Sequence, residues 1–126
     1  MTSAALDILI VTGSRHGCTP AQLKALHEQI TQADVVVHGN AGGVDEEADR
    51  IAYELGRDII RIPALWLSRK RSAGPRRNDM VAVVARAFRS DGHRVHYLAC
   101  PADDSSGTWN CVSKLKAIEI PGEVVP

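Results

Sequence analysis

The run Leu6 to Val11, LDILIV, constrains the fold of this chain most. It is apolar except for Asp7 and rich in β-branched side chains, and it lacks the alternation of a strand that shows one face to water. A run of this kind is a strand covered on both faces, which is the situation of strands in a parallel sheet flanked by crossover helices. Three further runs carry the same signature: Asp34 to His38 (DVVVH), Asp58 to Pro63 (DIIRIP) and Arg94 to Ala99 (RVHYLA). A weaker one near Glu119 to Val125 predicts a last strand that closes the sheet.

Helices are predicted between the runs. Thr19-Pro20 supplies an N-cap and a proline at the first helical position, where a missing N–H costs nothing. Leu23, Leu26 and Ile30 then share one face up to about Gln32. After Gly39-Asn40-Ala41-Gly42-Gly43, a second helix turns Val44, Ala48, Ile51, Ala52 and Leu55 inward and Asp45, Glu46, Glu47, Asp49, Arg50 and Glu54 outward, with Gly56 as its stop. Ser68 to Gly74 reads as a polar, basic loop. Pro75 reads as the first turn of a helix through Met80, Val83, Val84 and Phe88, and Gly107 or Thr108 opens a last helix with Val112 and Leu115 inward. Strand and helix alternate throughout. The predicted fold is α/β: a Rossmann-like three-layer domain with a parallel five-stranded sheet, right-handed crossovers and strand order 3-2-1-4-5. A chain of 126 residues suits one such domain, spanning residues 1–126.

Composition limits the partners. Fifteen basic residues balance fifteen acidic ones, so no overall field draws the chain to a nucleic-acid backbone or an anionic membrane, and any anion site must be local. No apolar run approaches the length that spans a bilayer, and the N-terminus lacks the pattern of a secretory leader. The expectation is a cytoplasmic protein with no membrane partner. Cys18, Cys100 and Cys111 are odd in number and show no Cys-x-x-Cys spacing, so they read as reduced thiols. His93 and His96 lack the companions a metal would need, His38 reads as a satisfied buried histidine, and neither metal nor cofactor is expected.

In a sheet of this order ligands bind outside the carboxyl ends of the strands, where the connections of the first and fourth strands diverge. Three loops rich in small residues meet there: Thr12 to Gly17 (TGSRHG), Gly39 to Asp45 (GNAGGVD) and Pro101 to Asn110 (PADDSSGTWN). They nominate Gly13, Ser14 and Arg15, then Asn40, Gly42, Gly43 and Asp45, and finally Ser105, Ser106, Gly107 and Thr108 as ligand-binding residues. The helix after the second loop begins with Asp45, Glu46 and Glu47 and would repel a phosphate. Glu46 and Glu47 read as dipole partners; Asp45 reads either as a third or, with Asn40, as an acceptor for ribose hydroxyls or a base edge. Ser105 to Thr108 has no acid in the turn that follows. It is the expected phosphate loop, with a plain N-cap cluster as the alternative. Arg76 and Arg77, with Asn78 beside them, oppose the dipole of their own helix and so call for a ligand anion or an acidic partner. Trp66 and Trp109 suit either base stacking or packing. Leu65, Trp66 and Leu67 are an apolar patch that a homodimer or higher homo-oligomer would bury.

Together VTGSR (Val11 to Arg15), GNAGGVDEEAD (Gly39 to Asp49), AGPRRNDMV (Ala73 to Val81) and SSGTWN (Ser105 to Asn110) resemble the YspA-like branch of the SLOG superfamily over nearly the whole chain. The resemblance implies a Rossmann-like domain that binds nucleotides or nucleotide-derived signals. The related LONELY GUY phosphoribohydrolases carry a helix arginine, which Arg76 and Arg77 match, and a PGGxGTxxE motif with a catalytic glutamate. Aligning Gly107-Thr108 to that motif puts Asp103, Asp104 and Ser105 at the Pro-Gly-Gly positions and Cys111 at the glutamate. A thiol does not replace a carboxylate that stabilises an oxocarbenium-like centre or activates water. The resemblance therefore implies a sensor or sequestering protein for a nucleotide-derived small molecule, either ADP-ribose- or NAD-derived or a nucleoside monophosphate. The alternative is an N-glycosidic hydrolase in which Asp45, Asp79 or Asp104 serves as the catalytic carboxylate. The second loop and its helix also resemble DNA-processing protein A, but a single-strand groove needs basic charge and aromatic platforms, and aromatic residues are 4% of this chain.

Overall fold

β1 (Asp7–Gly13) occupies the centre of the sheet, because it is the run that can be covered on every side: Ile8, Leu9 and Ile10 are fully buried. The computed structural model describes residues 4–126; the predicted domain also includes Met1 to Ser3, which lie outside the described residues. β1 pairs in parallel with β2 (Val35–His38) on one side and β4 (Arg94–Cys100) on the other. β3 (Asp58–Arg61) joins β2 and β5 (Gly122–Val124) joins β4, both in parallel. The order is β3-β2-β1-β4-β5, as the alternation of elements predicts.

Two helices cover each face. The alternation of side chains along a strand sends Leu9, Val11, Val36 and Leu98 to one face, against Leu26 and Ile30 of α1 (Pro20–Gln32) and Val44, Ala48 and Ile51 of α2 (Val44–Glu54). Ile8, Ile10, Val35, Val37 and Val95 face the other way. They meet Val81 and Ala85 of the long helix Ala73–Ser90 and Val112 and Leu115 of the last helix, Ser106–Ala117. Thr19 and Gln22 cap α1 reciprocally: Gln22 N donates to Thr19 Oγ1 at 3.1 Å and Thr19 N to Gln22 Oε1 at 2.9 Å. The Gln22 amide then donates to the carbonyls of Pro101 and Val125, tying α1 to the chain just beyond β4 and β5.

Three expectations are corrected. Ser68 to Gly74 is not a loop: α3 (Trp66–Arg69) and a 3₁₀ turn (Lys70–Ser72) run directly into α4 (Ala73–Ser90), so Pro75 is the third helical residue. None of the first four N–H groups of a helix has an intrahelical partner, so proline is tolerated there as well as at the first position. Leu55 caps the end of α2 and is 41% exposed, whereas Asp45, assigned outward by periodicity, is buried. The loop after β2 folds over the start of α2 and offers Asp45 two amide N–H groups, which offset part of the cost of its burial. The last helix, α5 (Ser106–Ala117), begins one residue before Gly107. Among the described residues no helix is long and apolar enough to cross a membrane.

Candidate functional site

The crossovers from β1 and β2 place α1 and α2 on one face, and those from β3 and β4 place α4 and α5 on the other. The chains leaving β1 and β4 therefore part, and a cleft of about 250 Å³ opens between them at the carboxyl ends of the strands. Its floor depends on close backbone approach. A Cβ at Gly13 would lie 2.6 Å from the Cys100 carbonyl oxygen and 2.7 Å from Val44 Cβ. Ser14 N donates to Cys100 O at 3.0 Å, and Ser14 O accepts from Val44 N at 2.9 Å, so one residue clasps β4 and the start of α2 together. Ser14 Oγ accepts from His16 N at 3.0 Å and shapes the rest of that loop. Gly43 makes the crossing possible: its φ is +68°, and a side chain there would meet Ser14 O at 2.3 Å.

Asp45 enters the cleft from the first turn of α2. Its Oδ2 accepts from Gly39 N and Ala41 N, each at 3.2 Å, while Oδ1 is buried with no hydrogen-bond partner among the described residues. The residue is 5% exposed. Burial pushes its carboxyl above the usual carboxylate range, and His38, Arg77 and the two amides offset only part of that. Neighbouring Asp49 behaves in the opposite way: the hydrogen bond from Arg61, with one from His38, holds it below the usual range. His38 Nδ1 accepts from Asn40 N at 2.9 Å, which leaves the Nε2 proton facing Asp49 Oδ2 at 2.7 Å. The glycine-rich loop is thereby held from within, with Asn40 at a φ of +54°.

Arg77 reaches across from α4. Its Nη1 donates to Gly39 O at 2.5 Å and its Nε to Asn78 Oδ1 at 2.8 Å, and it lies so close to Gly39 that a Cβ there would sit 2.5 Å from Nη1. No carboxylate pairs with it among the described residues. Asn78 Nδ2 donates in turn to Gly107 O and Asn110 Oδ1, at 3.2 and 2.9 Å, and fixes α5 against α4. At the start of α5 the Ser105 hydroxyl accepts from Ala102 N at 2.7 Å rather than capping the helix. The amide N–H groups of Gly107 and Thr108 find no acceptor among the described residues, and both residues line the cleft. Cys111 lies beneath them; burial pushes its thiol up to about 11, against a hydrogen bond with Thr12 and the charge of Arg77.

A second cleft of about 320 Å³ adjoins the first and shares Arg15, Gly39, Ala41 and Arg77 with it. Asn40, Gly42, Pro63, Ala64 and Trp66 complete its walls, and the Arg15 guanidinium lies 5.2 Å from the Trp66 ring centroid. Of the predicted site residues, Gly13, Ser14, Arg15, Asp45, Arg77, Asn78, Asp104, Ser105, Ser106, Gly107 and Thr108 line the first cleft, and Asn40 and Gly42 the second. Gly43 lines neither and serves the backbone crossing. Arg76 and Asp79 do not line the cleft: Arg76 is exposed and bonds Ser72 Oγ at 3.2 Å, and Asp79 pairs with Lys114 of α5 at 2.7 Å. Thr12, Gly39 and Ala41 line the cleft without having been singled out. Their signal was membership of the glycine loops.

No family model and no curated protein matches the chain. Among solved structures it is similar to DNA processing protein A (DprA) from Streptococcus pneumoniae, with a TM-score of 0.52 at 16% sequence identity. The likeness covers 94% of this chain and 58% of that one, so the chain spans less than two thirds of its neighbour's length. At this identity the likeness is one of fold: the chain has the Rossmann-like fold of that protein, with a parallel sheet ordered 3-2-1-4-5 and helices on both sides.

Proposed function

We propose that residues 1–126 form one cytoplasmic nucleotide-binding domain of the SLOG type, which senses or sequesters a nucleotide-derived small molecule. One observation carries the reading: the uncapped start of α5, Arg77 with no carboxylate in salt-bridge contact and Asp45 Oδ1 with no hydrogen-bond partner, each among the described residues, line one cleft. Helix N–H groups and a guanidinium suit a phosphate, and a buried carboxyl oxygen suits a sugar hydroxyl that donates to it. The cleft also supports binding over turnover. Cys111 occupies the place in the last motif where the related hydrolases carry a glutamate, and its thiol stays protonated at neutral pH.

A second reading rests on Asp45 and Asp104, which both line the cleft. A carboxyl whose pKa is raised by burial can serve as a general acid, so N-glycosidic hydrolysis of a nucleoside monophosphate is the alternative. Asp79 has no part in it, because it lies outside the cleft. Incubation with nucleoside monophosphates, NAD and ADP-ribose, followed by thermal shift and mass spectrometry, separates the two. Stabilisation with the ligand intact supports the binding protein. Stoichiometric excess of free base over protein would establish the hydrolase, and Asp45→Asn and Asp104→Asn would then identify its carboxylate.

A further inference from the structure

α4 is covered on its inner side, where Val81 and Ala85 meet the sheet and Asn78 fixes α5. Its outer side carries Arg76, Met80, Val83, Ala87 and, at the C-cap, Asp91. At about 100° per residue these five share a stripe roughly 80° wide. All five are exposed, Met80 by 51% and Val83 by 58%. The outer side of α2 is different: Glu47, Arg50 and Glu54 are charged and pair with one another, as a face left to water usually does. The stripe on α4 has an apolar middle between one cation and one acid, and each of those charges stands at the wrong end of its own helix. Arg76 is in the first turn, where the dipole favours an anion, and Asp91 closes the last, where it favours a cation. Neither forms a salt bridge among the described residues, and Arg76 reaches only Ser72 Oγ.

A second α4 running antiparallel to the first suits both charges. With Val83 and Val84 at the centre, Arg76 of each copy lies opposite Asp91 of the other and Met80 opposite Ala87, and each charge meets the dipole end that favours it. The order cation, apolar, acid is self-complementary under a twofold axis, which an isologous contact requires. From this complementarity we infer that the outer face of α4 docks a second copy of this chain as an antiparallel helix pair, closed at both ends by Arg76 and Asp91. The pairing gives Arg76 a role that the cleft does not, and it is independent of what the cleft binds. Leu65, Trp66 and Leu67, which the sequence nominates for an oligomer, belong to the segment before α4 and are not part of the stripe.

The test is analytical ultracentrifugation of the full chain across the micromolar range, which should show a monomer–dimer equilibrium. Arg76→Asp and Asp91→Arg should each weaken the dimer by about tenfold or more, and the double variant, in which the charges are exchanged, should recover most of the affinity. Each single reversal matches its residue to its own helix dipole, so a weaker dimer cannot be ascribed to a weaker fold; circular dichroism checks this. Val83→Asp, which puts a charge at the centre of the pair, should leave a monomer. A chain that stays monomeric throughout would overturn the inference. So would a dimer that ignores both charge reversals, a double variant no better than the singles, or a dimer that Leu67→Asp dissociates and Val83→Asp does not.

Discussion

Two helices begin on the same edge of the sheet and do so in opposite ways. α2 carries Asp45, Glu46 and Glu47 in its first turn, so its own sequence supplies negative charge to the positive end of its dipole. α5 has no acid in its first turn, and Arg77, which lines the same cleft, adds positive charge; neither helix has a side-chain cap. The first helix start has its dipole countered within the chain. The second has no such counter-charge, and on the proposed reading that difference puts the phosphate there. Asp45 adds a further lesson: the acid that belongs to the α2 start by sequence faces the cleft in space and keeps, among the described residues, an oxygen without a partner.

The comparison can be broken at its hinge. Gly43→Ala puts a side chain at a φ of +68° and against Ser14 O, so it should destabilise the fold by on the order of 3 kcal/mol, read from the urea unfolding midpoint. An unchanged midpoint would mean that the crossing of the first loop over α2 is looser than its geometry. A gentler change makes α5 resemble α2. A Cβ at Gly107 meets nothing within 4 Å, so Gly107→Asp should fold with equal or slightly higher stability yet bind ribose 5-phosphate about tenfold more weakly. Unchanged affinity would remove the phosphate from the α5 start.

The two aspartates of α2 sharpen the contrast through pH. Asp45 has a folded pKa above its ordinary value of 3.8, so its contribution is most favourable below that value and is lost as pH rises through the folded pKa. Asp49 has a folded pKa below 3.8; its contribution is present above that value and is lost as pH falls through the folded pKa. Asp45→Asn should therefore raise the unfolding midpoint at neutral pH and flatten its decline from acid to neutral conditions, and Asp49→Asn should lower it at neutral pH and blunt the acid loss. Reversed signs would show that Asp45 is already ion-paired. The smallest effect is expected at Glu46, which is exposed. Glu46→Gln should cost about 0.3–1 kcal/mol of stability and leave ligand affinity unchanged.

Legibility followed the range of the interactions. The strands and their order could be read because an apolar run without alternation has one common solution, and the α1 cap because its partners stand three residues apart. The glycine loops were legible for the same reason: Gly13 and Gly43 answer to close backbone contacts that no other residue tolerates. Arg76 and Arg77 were not separable in sequence, since adjacent helical residues differ by about 100° in direction and only the packing of α4 on the sheet decides which one reaches Gly39. Asp45 was misplaced by periodicity because the amides that receive it belong to a loop that folds back over the helix.

By itself the sequence determined the architecture: five apolar runs, four helical segments between them, and three glycine- or serine-rich loops at one edge. Local periodicity and turn chemistry suffice for that. Tertiary structure alone decided which charges meet. It buried Asp45, sent Arg77 inward and Arg76 outward, paired Asp79 with Lys114 away from the cleft, and set Trp66 beside Arg15 at the mouth of a second cleft. Such contacts join residues tens of positions apart, and their geometry depends on how the helices seat against the sheet, which no local pattern encodes.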